Sequence, residues 1–213
     1  MQDYDKVLII SQSGCGKTYS FRKMNPETTG FINVENKPLP FKSNFKFHSR
    51  PGTLGEFQNA LKEYAKIPEI NCIVIDSISA LLDVMLQESR ASKKGFDVWN
   101  EYNENLGKIF LAIKKINKNF FITGHYEILG LEGAQEKRLK VKGKEWEGTC
   151  EKEFTIVMYA DKNFDLDGKP NYSFKLVGEN TSAKCPPDIF GEDVYQIDND
   201  CNQILNKLIE YRS

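Results

Sequence analysis

Gly16, Lys17 and Thr18 close an octet that opens at Ser11. The spacing matches a phosphate-binding loop, a glycine followed by four residues and then Gly-Lys-Thr, except that Ser11 stands in the first glycine's place. Glycines let such a backbone fold tightly, so that its N–H groups converge on phosphate oxygens. Ser13, Gly14, Cys15, Gly16, Lys17, Thr18 and Tyr19 are the residues expected to cradle a triphosphate. Lys17 would reach the β and γ phosphates, and the Thr18 hydroxyl would hold Mg²⁺. The apolar run Val7–Ile10 before the loop reads as a buried strand, and Tyr19–Met24 after it as a short helix with its N-terminal dipole toward the phosphates. A serine is tolerated at position 11 if its backbone keeps a negative φ. ATP and Mg²⁺ are the expected ligands.

Two carboxylates have matching chemistry. Asp76 follows the apolar run Cys72–Ile75. At the carboxyl end of a buried strand beside a phosphate loop, it suits a Mg²⁺-linked aspartate. It also precedes a helix and could instead be its N-cap. Ser77 occupies the position where many nucleotide-driven motors carry a glutamate base. Glu35 is then the candidate water-activating group: it ends the strand Phe31–Val34, which should lie near the phosphate-loop strand. The alternative for Glu35 is an exposed loop residue. His125, at the end of Phe120–Gly124, could donate to a phosphate oxygen as a neutral imidazole, or simply be satisfied by a backbone carbonyl.

The densest basic run is Lys137–Lys144. Arg138, Lys140, Lys142 and Lys144 alternate with Leu139, Val141 and Gly143, so on a strand those four charges share one face. Such a ladder fits a phosphate backbone. A second candidate is the polar stretch around Arg90, Lys93, Lys94 and Phe96, read as a mobile loop over 87–98. Phe96 or Trp146 could stack on bases.

The elements that must position these groups alternate. Strands are expected at 6–10, 29–34, 44–48, 71–76 and 120–124. Helices are expected from Thr53, which with Glu56 forms a capping box, from 78 to 88, through the apolar stripe Trp99–Ile116, and over 202–211. Alternation of this kind predicts an α/β fold: a mainly parallel central sheet with helices on both faces. After His125 the pattern changes to strands at 139–144, 153–160 and 172–178 without helices between them, which predicts an antiparallel C-terminal extension. With neither linker nor repeat, residues 1–213 read as one domain.

Bulk properties narrow the class. The 213 residues are 40% hydrophobic and 28% charged, with a formal net charge of −1, so any nucleic-acid contact must come from a local patch. Five scattered cysteines and two histidines argue against a disulfide frame or zinc site. No apolar stretch is long enough to cross a membrane. A cytoplasmic protein with no membrane partner is expected.

Phe31–Glu35 and Val74–Leu81 resemble the corresponding motifs of RecA-type recombination ATPases. In that family the catalytic glutamate follows the strand after the phosphate loop, and serine follows the metal-linked aspartate. Gly143–Trp146, Glu153–Val157 and Thr181–Pro186 resemble a phage branch of small RecA-like ATPases linked to single-strand annealing, recombination or replication. The resemblance spans roughly residues 6 to 190. It implies a RecA-like P-loop NTPase that hydrolyses ATP in a DNA-dependent way. It also implies single-stranded DNA as partner, a homo-oligomer as ring or filament, and a phage single-strand-binding protein as a possible further partner. His125 would sense the γ phosphate, and Lys184 would reach the nucleotide of a neighbouring subunit, although a plain surface lysine is the alternative. Two other readings remain open: a P-loop nucleotide kinase, for which the five arginines do not cluster into a lid, and a nucleotide-gated interaction module with little turnover.

Overall fold

A computed structural model describes residues 3–213. Its frame is an eight-stranded sheet. In chain order the strands are β1 (Lys6–Ile10), β2 (Thr29–Asn33), β3 (Phe47–Ser49), β4 (Cys72–Asp76), β5 (Asn119–Gly124), β8 (Ile156–Phe164), β9 (Pro170–Lys175) and β10 (Gln196–Asp198). Their spatial order is β10-β9-β8-β1-β5-β4-β2-β3. Two further strands, β6 (Tyr126–Leu129) and β7 (Glu136–Leu139), form a separate antiparallel hairpin.

All five residues of each of β1, β2 and β4 are buried, as strands covered on both faces require. Their side chains divide by period two. Leu8, Ile10, Ile73 and Ile75 face one core with α1 (Leu54–Lys66), α2 (Ile78–Ser92) and α3 (Asp97–Lys115). Val7, Ile9, Val74 and Phe121 face the other, with α5 (Cys201–Arg212) and Phe21. A four-residue turn of helix, α4 (Pro187–Phe190), adds Ile189 to this second core. Helices thus cover both faces, with the three long central ones together on one side.

Several expectations shift. β8 pairs parallel with β1, Val7 opposite Ile156, so the antiparallel extension begins only at β9. Strand direction depends on a partner distant in sequence, and local pattern does not reveal it. The stretch read as a mobile loop is mostly helical: α2 runs to Ser92 and α3 starts at Asp97, leaving residues 93–96 as the connection. The expected strand at 139–144 ends where it was to begin. β7 stops at Leu139 and the chain turns through Gly143, whose φ of 73° lies in the left-handed region. Among the described residues no helix is long and apolar enough to cross a membrane.

Candidate nucleotide site

The carboxyl ends of the parallel strands meet in a cleft of about 600 Å³, lined by Lys17, Thr18, Glu35, Lys37 and His125 among others. That volume suits a small-molecule ligand. β1 delivers the phosphate loop. Gly14 and Gly16 have φ of 81° and 84°, where only glycine is unstrained, whereas Ser11 is not among the positive-φ residues. Substitution of the first glycine therefore leaves the backbone path intact. The Ser11 N–H donates to Gly124 O at 3.2 Å, which fixes the loop's start to β5.

The Lys17 ammonium donates to Ser11 O at 3.1 Å, Ser11 Oγ at 3.0 Å and Gln12 O at 2.9 Å. Burial holds its pKa below the ordinary lysine value. The serine hydroxyl thus supplies one of three oxygens for the loop's own lysine. After the loop comes a six-residue 3₁₀ helix, Thr18–Lys23, in place of a full α-helix. A helix this short carries little macrodipole, so the expected dipole contribution falls away and the loop N–H groups remain.

Thr18 Oγ1 donates to Asp76 Oδ2 at 2.9 Å, and Thr123 Oγ1 donates to Asp76 Oδ1. Asp76 is 3% exposed, and burial raises its carboxyl above the usual range despite these two donors. The cap of α2 is Ser77, whose Oγ accepts from Ala80 N at 3.3 Å, so Asp76 is not the N-cap. The Asp76–Ser77 peptide bond is cis.

β2 is the third strand from β1, with β5 and β4 between them, yet Glu35 still reaches the cleft. Ser77 Oγ donates to Glu35 Oε1 at 3.1 Å and Lys37 Nζ to Oε2 at 2.9 Å. Burial pushes this carboxyl up, but Lys37 and Ser77 outweigh it and the net shift is downward. Glu35 is ionised at neutral pH.

His125 Nδ1 lies 3.2 Å from Ser11 O. A carbonyl only accepts, which assigns the proton to Nδ1 and leaves a lone pair on Nε2. Burial, then the Lys17 charge, lowers the imidazole pKa, so the ring is neutral at pH 7. Its one N–H is already engaged, so donation to a phosphate requires exchange of the Ser11 partner. The His125 N–H is held by Ser79 Oγ at 2.9 Å.

Tyr19 and Tyr172 line the same cleft, their ring centroids 6.2 Å apart. Lys184 is not in it. Its backbone exchanges bonds with Val157, level with Leu8 in β1, and its charged neighbours are Glu151 and Glu153. The proposed ladder of four basic residues is not formed. Arg138 alone lies on β7 and pairs with Glu136 at 2.7 Å, while Lys142 pairs with Asp83 at 2.8 Å. Lys140 and Lys144 are exposed and have no ion pair among the described residues. Trp146 packs on Phe110, centroids 5.4 Å apart, and is committed to the core; Phe96 is 76% exposed.

Sequence reasoning passed over Ser77 as a partner of Glu35, Thr123 as a partner of Asp76, and Lys37 altogether. The nearest signal was positional: Thr123 lies on β5 two residues before His125, and Lys37 follows Glu35 by two residues.

A sheet with this strand order, a phosphate loop after β1 and a threonine-bonded aspartate at the end of β4 define a P-loop ATPase of RecA-like fold. A profile of the AAA domain matches residues 3–181, and the chain belongs to that family. The chain is similar to the crystal structure of a KaiC-like protein from the hyperthermophilic archaeon Pyrococcus horikoshii. The two share 15% identity over 80% of this chain and 77% of that one, with a TM-score of 0.50, a likeness of fold. Among curated proteins, none matches.

Proposed function

We propose that this protein binds ATP with Mg²⁺ in the cleft, hydrolyses it, and acts on single-stranded DNA as a homo-oligomer. The observation that carries the reading is the assembly of Lys17, Thr18, Asp76, Glu35 and His125 around one cleft from four separate points of the chain. Thr18 and Asp76 fit Mg²⁺: both offer hard oxygen donors, and among the described residues the buried Asp76 carboxylate has hydroxyl partners but no cationic side chain at hydrogen-bond distance. When bound, the ion would neutralise charge on the β and γ phosphates. Lys17 would exchange its three loop oxygens for phosphate oxygens. Glu35, ionised and oriented by Ser77, would align a water with the γ phosphate and take its proton.

The DNA half of the reading rests on connectivity. His125 leads directly into the β6–β7 hairpin, and Lys140 N donates to His125 O at 2.8 Å, so both ends of the hairpin are rooted at the nucleotide site. Lys140 and Lys144 lie just beyond it, and the 93–96 turn offers Lys93, Lys94 and Phe96 to solvent. Exposed cations beside an exposed ring suit a single strand. Lys184, remote from its own cleft, would serve only a neighbour's.

The test is ATP hydrolysis with and without single-stranded DNA. Stimulation by DNA supports the reading. Phosphate transfer to a nucleoside would show a kinase, and binding without turnover a nucleotide-gated module. Lys17→Ala should abolish turnover, and Glu35→Gln should stop hydrolysis while sparing ATP binding. Full activity in either variant overturns the assigned roles.

A further inference from the structure

Lys37 has no part in the chemistry above, yet the fold fixes the backbone that carries it. Asn36 adopts a left-handed conformation, φ 56°, which turns the chain sharply after Glu35. The Asn36 side chain donates to Pro51 O at 3.1 Å and so holds the turn to the segment before α1. Asn33, 1% exposed at the end of β2, donates its side-chain amide to Lys37 O at 2.8 Å. A buried amide thus anchors the backbone of a residue whose side chain is 77% exposed. The result is a lysine on a fixed base, lining the cleft together with Lys17.

We propose that Lys37 is a second cation of the nucleotide cleft, exchanging between Glu35 and the terminal phosphate of a bound nucleoside triphosphate. This rests on the ATP-binding reading and adds to it. Lys17 is buried and held by three loop oxygens, whereas among the described residues Lys37 has one ionic partner, Glu35, at 2.9 Å. An exposed ion pair of this kind is worth little and is readily exchanged. A terminal phosphate brings more negative charge than one carboxylate, and a lysine is a mobile point charge suited to follow it. On exchange, Lys37 leaves Glu35 Oε2 without its ionic partner while Ser77 still orients Oε1. It also places positive charge beside the negative charge spread over the γ-phosphoryl oxygens in the transition state. With a diphosphate in the cleft, the terminal phosphate is absent and Lys37 returns to Glu35. Lys37 therefore separates triphosphate from diphosphate by charge alone.

The experiment measures affinities for a non-hydrolysable ATP analogue and for ADP, together with kcat, in the full chain and in Lys37→Met and Lys37→Arg. Methionine keeps the stem and removes the charge at an exposed position. Loss of one charge-assisted contact predicts about tenfold weaker analogue binding in Lys37→Met, with ADP affinity unchanged. It also predicts a fall in kcat, with Lys37→Arg recovering most of both. If Lys37→Met keeps the wild-type ratio of analogue to ADP affinity, the inference on Lys37 is overturned while the ATP reading stands. If the unaltered chain binds neither nucleotide, the ATP reading falls and this inference with it.

Discussion

Glu35 is held between a hydroxyl and an ammonium, and its pH behaviour follows from them. Burial alone would raise its carboxyl; Lys37 and Ser77 reverse that, and the net direction is down. The Glu35 carboxylate is therefore ionised throughout the neutral range. Hydrolysis should fail on the acid side only as pH drops through a value below the ordinary glutamate range. In the free protein Lys37→Met removes the strongest lowering contact, so the acid limb of its kcat/KM profile should move to higher pH; superimposable limbs would contradict the pairing. Glu35 and Asp76 were legible in the sequence because each ends an apolar run. Their partners were not: Ser77 meets Glu35 across 42 positions, and Thr123 meets Asp76 across 47. A hydroxyl gives no local sign of what it will bond.

At the scale of elements, one serine joins two tasks. Ser77 caps α2 through Ala80 N and holds Glu35 through Oε1, so the start of that helix and the orientation of the Glu35 carboxylate are one feature. Ser77→Ala should cost about 1 kcal/mol of stability for the lost cap. It should also lower kcat while leaving affinity for the ATP analogue intact, and Ser77→Thr should restore both. Thermal melts and single-turnover rates on the three proteins check this; an unchanged kcat in Ser77→Ala would reduce the residue to a cap. The strands that flank the site were readable because burial on both faces leaves an unbroken apolar run, as in Cys72–Ile75. The hairpin was not. Arg138 to Lys144 alternates as a strand would, but the alternation lies largely in a turn, where Lys142 answers Asp83 on α2. Period two states which residues would share a face if a strand formed; it does not state that one forms.

At the scale of the molecule, a buried cation ties the sheet to the segment after α3. Lys6, 5% exposed in β1, donates its ammonium to Ile116 O and Lys118 O. Burial lowers its pKa to about 8 from 10.5. Between those values the unfolded chain binds more protons than the folded one, so stability rises with pH across that window. Denaturant unfolding at pH values spanning it should show this gain in the natural chain and a smaller one in Lys6→Met. Equal slopes would mean that the lysine is not desolvated as the fold implies. The overall α/β layering was foreseeable from the alternation of elements. The parallel course of β8 was not, because its direction is set by β1, far away in the chain.

The phosphate loop lies near the amino terminus, yet its back rests on the other end of the chain. Asn199 Nδ2 donates to Gly16 O at 3.2 Å across 183 positions, and a Cβ on Gly16 would meet the Tyr172 ring at 2.8 Å. During synthesis the loop leaves the ribosome 183 residues ahead of the asparagine that braces it. The emerging chain therefore carries its nucleotide-binding sequence long before it has a finished nucleotide-binding surface. The cleft is complete only when β9, which carries Tyr172, and the Asn199 segment have docked against the loop.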